Sequence, residues 1–288
     1  MSWNIEIIAN KNYPPSLLEI PESPKTLYLA GKLPSVNNFK YLTVVGARKY
    51  SSYGREAVEK IISGLAGYPV AIVSGLALGI DTLAHQAALA AKLPTLAIPG
   101  SGLDRSVLYP AVNRKLAEKI LENGGGLLSE YEPVQPATLY TFPRRNRLMA
   151  GLTQATLVVE AGKKSGTLIT ARLATEYNRD VLAVPGSIFS PNSYGPNWLI
   201  GRGATPITDS DDLLRALNFD PAEKENADIS GLSTIEQKIY ELLQTEPLSR
   251  DEIIFRAKRP IHEINPVLSL MEIKGLIKET MGKFYISR

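Results

Sequence analysis

Between Tyr41 and Leu217 the chain predicts an α/β fold built on a doubly wound, mostly parallel sheet, followed by a small C-terminal winged-helix domain. Three observations carry this. Short apolar runs, YLTVVG, AIVSG, TLAIPG, GGLLSEY, ATLVVEA and VLAVPG, recur along this stretch. Helical segments such as YGREAVEKIISGLAG and GIDTLAHQAALAA lie between them. The runs also lack the polar alternation of a half-exposed strand, as expected where both faces of a sheet are covered.

At 288 residues the chain exceeds the usual single-domain size, so one large and one small domain are expected. A hydrophobic fraction of 44% and a charged fraction of 21% are those of a globular protein with a real core. The absence of cysteine removes disulfides, thiolate zinc sites and thiol nucleophiles, and two histidines, His85 and His262, leave little for a metal. No leader pattern is present, and no stretch approaches ~18 apolar residues, so a cytoplasmic protein without a membrane partner is expected. A net charge of +3 does not argue for nucleic acid by itself. Only local clustering of basic residues can.

Residues 1–40 are rich in Pro and Asn and read as an extended lead-in lying along the domain. Residues 41–217 form the α/β unit, closed by a short helix over SDDLLRAL, 210–217. Residues 218–230, NFDPAEKENADIS, read as a linker. In 231–288, two capping boxes, Ser233 with Glu236 and Ser249 with Glu252, announce helices. A third helix is expected from near Pro260 to Lys274, then two short strands around Met281-Gly282. Three helices and a terminal hairpin describe a winged helix. From Ile229 onward it carries nine cations and eight acids, a balance that gives no support to duplex binding.

The basic residues cluster where strands end. The first strand runs into VVGARKYSSYG, 44–54, where Gly46 permits a tight turn, Arg48 and Lys49 supply charge, and Ser51 can cap a helix or donate to phosphate. GxGxxG is absent and no acid follows the second strand, which argues against NAD. GKKS at 162–165 is not a Walker loop, since Leu157 stands where the upstream glycine belongs. After the second strand, Gly75 and Gly79 allow close backbone approach, while Asp81 and His85, four apart, read as packing and capping groups. The loop after the third strand presents Arg105, Tyr109, Asn113 and Arg114 on the crevice side.

The densest cluster is FPRRNRLMAGLTQATLVVEAGKKSGTLIT, 142–170, which holds six cations if counted to Arg172, against one acid, Glu160. FPRRNR reads as a loop in which Arg144, Arg145 and Arg147 alternate with Phe142 and Asn146. Arginine forks suit phosphates, and an aromatic or guanidinium plane stacks a base. GKKSGT then leads into a helix whose first N–H groups favour an anion, with Ser165, Gly166 and Thr167 the direct contacts and Lys163 and Lys164 adding field. Alone, each cluster is equally a solvated face. Together they lie at strand ends that a parallel sheet aims at one edge, which suits several phosphates in a row. Catalytic constellations are poor: Glu130 and Glu160 are the carboxylates at strand ends, and capping or pairing with arginine suits them better than acid–base work.

These motifs resemble the DNA processing protein A (DprA/Smf) family: VVGARKYSSYG, SGLALGIDTLAH, YPAVNRKL, FPRRNRLMAGL, VVEAGKKSGTLITA, and AVPG with the later GRGA. The resemblance runs from about Pro14 to the C-terminus. It implies a Rossmann-type domain that forms a homodimer, binds single-stranded DNA, displaces single-strand-binding protein and loads the RecA recombinase in natural transformation, with no cofactor and no enzymatic activity. Many members carry a helical sterile-alpha-like domain ahead of this unit, whereas only forty residues stand ahead of it in this sequence. By the same resemblance, the family's DNA contacts map onto Arg48, onto Phe142, Arg144, Arg145, Asn146 and Arg147, and onto Ser165, Gly166 and Thr167. Gly46, Lys49, Ser51, Gly75 and Lys163 complete the candidate DNA-binding set. The alternative is a nucleotide phosphoribohydrolase of the same superfamily, although its PGGxGT turn is replaced here by EAGKKSGT.

Overall fold

The computed structural model describes residues 3–221, 232–273, 276–280 and 282–286. The chain divides into two compact units, Met1–Pro221 and Ala222–Arg288. In the first unit the elements run β1 (Ile5–Ile7), α1 (Pro15–Leu18), β2 (Tyr28–Gly31), β3 (Lys40–Val45), α2 (Ser52–Ser63), β4 (Val70–Ser74), α3 (Ile80–Ala90) and β5 (Thr95–Ala97). They continue with α4 (Arg114–Glu122), β6 (Gly126–Ser129), α5 (Thr141–Leu152), β7 (Ala155–Val158), α6 (Thr167–Glu176), β8 (Asp180–Ala183), α7 (Tyr194–Ile200), β9 (Thr205–Pro206) and α8 (Ser210–Ala216).

Each apolar run named from the sequence forms a strand of one nine-stranded sheet, ordered β1-β2-β6-β5-β4-β3-β7-β8-β9. From β6 to β9 all pairings are parallel. Alternate residues of β3 explain the continuous apolar pattern. Leu42 and Val44 face a core shared with α2, α3 and α8, whereas Tyr41 and Val45 face one shared with α1, α5 and α6. Both faces are dry, so neither set of positions needs a polar side chain.

The first forty residues are more than a lead-in. β1 and β2 extend the sheet antiparallel beyond β6, and Leu17 and Ile20 join the core beside α5. Strands of three and four residues between prolines show no usable period, and β2 finds its partner about a hundred residues away. The first residues of the expected linker also pack on this unit: Phe219 meets the Tyr68 ring at 5.7 Å and Lys40 at 4.5 Å. The rest of that linker, 222–230, lies outside the described residues.

The second unit holds α9 (Thr234–Thr245), β10 (Leu248–Ser249), α10 (Arg250–Ala257), α11 (Ile261–Ile273), β11 (Ile277–Thr280) and β12 (Lys283–Ile286). Both capping boxes form, with each serine accepting from the N3 amide and each glutamate accepting from the serine amide. The hairpin pairs β11 with β12, with Gly282 at φ 74° in its turn; Met281 and Lys274 lie outside the described residues. Two-residue β10 adds a third strand through Leu248 and Phe284, both in the core. That strand is too short for a period to reveal. Among the described residues, no helix is long and apolar enough to cross a membrane.

Candidate nucleic-acid interface

β3 and β7 are neighbours in the sheet, yet the chain leaves β3 toward β4, β5 and β6 before returning to β7. The loops after these two strands therefore diverge and open a crevice at their carboxyl ends, the position at which doubly wound sheets bind ligands. A cleft of about 420 Å³ lies there. Gly46 and Arg48 after β3, Phe142, Arg145 and Asn146 of α5, and Ser165, Gly166 and Thr167 at the start of α6 line it.

Hydrogen bonds tie the two loops together. Thr167 Oγ1 donates to the Gly46 carbonyl at 3.1 Å, and the Ser165 hydroxyl accepts from the Thr167 amide at 3.2 Å. Gly46 passes so close to α3 that a Cβ would overlap Ile80. The first amides of α6, a helix of ten residues, border the cleft and supply the positive end of a dipole.

FPRRNR is the first turn and a half of α5 rather than a loop. Pro143 is tolerated because first-turn amides have no helical partner in any case. Helical periodicity then splits the arginines. Phe142, Arg145, Asn146 and Met149, at i, i+3, i+4 and i+7, all line the cleft. Arg144 and Arg147, three apart on another face, both reach Glu130: Arg147 Nη2 donates to it directly, and Arg144 Nε lies 3.7 Å away. Burial pushes the Glu130 carboxyl up, and these two arginines pull it down. Arg147, 5% exposed, is thus an internal ion-pair partner rather than a projecting phosphate fork.

Arg145 is buried too, but it forms the floor of the cleft. Its Nη1 donates to the Ile98 carbonyl at 2.5 Å and touches the Met149 sulfur at 3.3 Å, and its Nε has no partner. The guanidinium lies over Gly75, where a Cβ would occupy the position of Nη1. That is the role of Gly75, which is not itself in the cleft lining. Burial lowers the Arg145 pKa to about 10, opposed by Asp81. Burial raises Asp81, opposed by Arg145 and by backbone amides including that of Gly75, 3.1 Å away. His85 turns elsewhere, with Nδ1 2.7 Å from Thr95 Oγ1; burial lowers its pKa to about 3. Among the described residues no cluster of three or more metal-ligating side chains exists.

At the mouth, Arg48 Cζ lies 5.6 Å from the centroid of the Phe142 ring, and the Tyr109 ring lies 5.6 Å from it on a 56° tilt. Tyr109 is half exposed. This cation–aromatic–aromatic group was hidden in sequence because it draws on three separate strand ends. The remaining polar residues of the Tyr109 loop are structural: Asn113 donates to the Leu76 carbonyl at 2.8 Å, Arg105 pairs with Glu118 at 2.7 Å, and Arg114 donates to the Ser106 carbonyl at 2.7 Å.

Three further candidates stand outside the cleft lining. Ser51 caps α2 and donates from both N and Oγ to Glu160, at 2.9 and 2.5 Å. The Lys49 carbonyl accepts from Asn192. Lys163 lies over the Tyr194 ring at 5.7 Å. Glu160 is accordingly a capping carboxylate and Glu130 an arginine partner, as their positions in the sequence suggested.

Residues 4–218 match the family described as DNA recombination-mediator protein A, and residues 223–283 the DprA winged helix domain. The chain is 39% identical over 280 residues to Protein Smf of Escherichia coli, covering 94% of this chain and 74% of that one. It is 44% identical over 207 residues to the DNA processing protein DprA of Streptococcus pneumoniae, 72% of each chain. The X-ray structure of the pneumococcal DprA superimposes with a TM-score of 0.68 at 41% identity over 74% of each chain. A Helicobacter pylori DNA processing protein A, described by its single-stranded DNA binding mode, gives 0.68 at 28% identity, covering 76% of this chain and 98% of that one. A doubly wound sheet with its cleft at the β3/β7 switch point, joined to a winged-helix unit, thus coincides with a family match across nearly the whole chain, which belongs to the DNA recombination-mediator protein A family.

Proposed function

We propose that this protein is a single-stranded DNA-binding recombination mediator that protects incoming DNA and loads the RecA recombinase onto it. The observation that carries this is the composition of the cleft and its mouth: the Arg48–Phe142–Tyr109 group beside the amino-terminal end of α6. Stacking accepts any base, and the helix amides and Arg48 accept phosphate, so the site holds a strand largely without regard to sequence. A duplex keeps its bases stacked inside and offers only phosphates. Single strands therefore have the advantage.

The protein acts in the cytoplasm as a homodimer whose two clefts share one strand, exchanging with single-strand-binding protein before RecA is loaded. It works by binding and not by catalysis: Glu160 is held by Ser51 and Glu130 by two arginines, both outside the cleft lining, and Asp81, the carboxylate within that lining, is held by the Gly75 amide. Fluorescence anisotropy with labelled oligo-dT and matched duplex, across salt, tests this. Preference for the single strand with a steep salt dependence is expected. Equal affinity for duplex, or release of base from a nucleoside monophosphate, would replace the reading with a duplex regulator or a phosphoribohydrolase. Light scattering tests the dimer, and filament assembly on protein-coated DNA tests RecA loading.

A further inference from the structure

We propose that the loop after β8 and the start of α7, with Lys49 and Lys163 beside them, form an outer stacking platform that holds a single strand after it has left the cleft. This rests on the single-stranded DNA reading and adds a second station to it, built from residues outside the cleft lining.

Contacts among three neighbouring strand ends hold the platform together. β3, β7 and β8 are adjacent and parallel, so the loops that follow them emerge side by side. The Tyr53 hydroxyl donates to the Pro185 carbonyl at 2.5 Å, and Asn192 Nδ2 donates to the Lys49 carbonyl at 3.1 Å. The Asn192 carbonyl accepts from the Ala161 amide and the Gly195 amide donates to the Ala161 carbonyl, both at 2.7 Å. The loop after β8 is thus pinned at both feet, with Phe189 between them.

This fixed loop leaves large apolar side chains in water. Ile188 and Phe189 are 83% and 91% exposed, and Tyr194 is 41% exposed with Lys163 Nζ 5.7 Å from its ring centroid. Exposed apolar groups gathered within a polar rim mark an interaction surface.

Charge decides which partner fits it. Residues 46–55, 161–175 and 181–208, which supply the three loops, contain no aspartate or glutamate. Glu160, the carboxylate between them, is 1% exposed and accepts from Ser51 and Asn192. Lys49, Lys163 and Lys164 are exposed, so the surface is cationic and aromatic together. A two-fold contact with a second copy would set this patch against an identical one, lysines against lysines. A single strand supplies the complement, with phosphates for the lysines and a flat base for each ring.

The spacing suits a strand shared with the cleft. Adjacent strands of a sheet lie about 4.8 Å apart, which puts the β8 loop about 10 Å from the β3 loop. That is about three nucleotides at the duplex rise.

The test compares dT tracts of about 5 and about 16 nucleotides, near the two ends of the range for one single-strand module, on the full chain. Phe189→Ala is expected to weaken the long tract about tenfold, the scale of one lost stack, while the short tract, held by the cleft, keeps its affinity. Lys163→Ala is expected to lower the salt slope for the long tract by about 0.7. Light scattering on each variant is expected to give the mass of the unmodified chain. Equal losses on the two tracts, or a long tract whose affinity and slope do not move, overturn the platform and leave the cleft reading standing. A fall in mass alongside the loss assigns this face to a second copy and overturns the platform as well. No binding of the unmodified chain to either tract overturns both readings.

Discussion

Arg145 and Gly75 occupy complementary volumes: the guanidinium rests where any side chain on residue 75 would have to stand. Buried charge, unpartnered Nε and close backbone approach meet at this one contact, and it places the arginine in the cleft floor.

Gly75→Ala therefore forces the guanidinium out of position. Overpacking of this kind costs about 1–3 kcal/mol, seen as a lower urea midpoint. Oligonucleotide affinity falls with it, because the displaced group intrudes on the cleft. A variant with unchanged affinity and midpoint would show that Arg145 has room to move aside freely.

Arg48 and Phe142 touch each other but contribute by different physics, and salt separates them. Arg48→Ala removes a phosphate-binding charge and reduces the slope of log affinity against log salt by about 0.7 for a single strand. Phe142→Ala removes stacking, about 1–3 kcal/mol per base, and leaves the slope unchanged. Titrations across salt read both, and a common slope change in the two variants would contradict the division.

Arg147 pairs with Glu130 at side-chain exposures of 6% and 7%. Removing one partner of such a pair costs up to about 3–5 kcal/mol, a ceiling here because Arg144, 3.7 Å from Glu130, still faces the carboxylate. Arg147→Ala is thus expected to lower stability strongly while the folded fraction retains its salt slope for oligo-dT. Glu130→Gln with Arg147→Met recovers much of the loss. Loss of DNA affinity at full stability would instead return Arg147 to the interface.

His85 makes stability depend on pH. Its folded pKa, about 3, lies below the unfolded value near 6.5, so between these values the unfolded chain binds the extra proton. Its contribution is complete above about pH 6.5 and is lost as pH falls toward 3, at up to about 1.4 kcal/mol per pH unit. Urea unfolding between pH 7 and 5 should show the decline, and His85→Gln should flatten it. An identical decline in that variant would assign the effect elsewhere.

Local chemistry was legible in the sequence. The uninterrupted apolar runs specify strands covered on both faces, the Ser–Glu pairs specify helix starts, and a parallel sheet brings strand ends to one edge whatever its strand order. The convergence of the Arg48, Phe142 and Ser165–Thr167 segments follows from those rules alone. Reading FPRRNR as a loop missed its 3.6-residue period, because Pro143 and three arginines mask an amphipathic pattern whose inner face is itself charged.

Tertiary structure decided the rest, because it depends on distances between residues far apart in the chain. Only the folded sheet brings Glu130 to Arg144 and Arg147, leaving Arg145 to the cleft. Only its loops place Tyr109 against Phe142 and Phe142 against Arg48. Pairing of β2 with β6 turns a proline-rich lead-in into part of the sheet. A sequence states which charges are present; burial and partners, which determine what each charge is free to do, arise when the chain closes on itself.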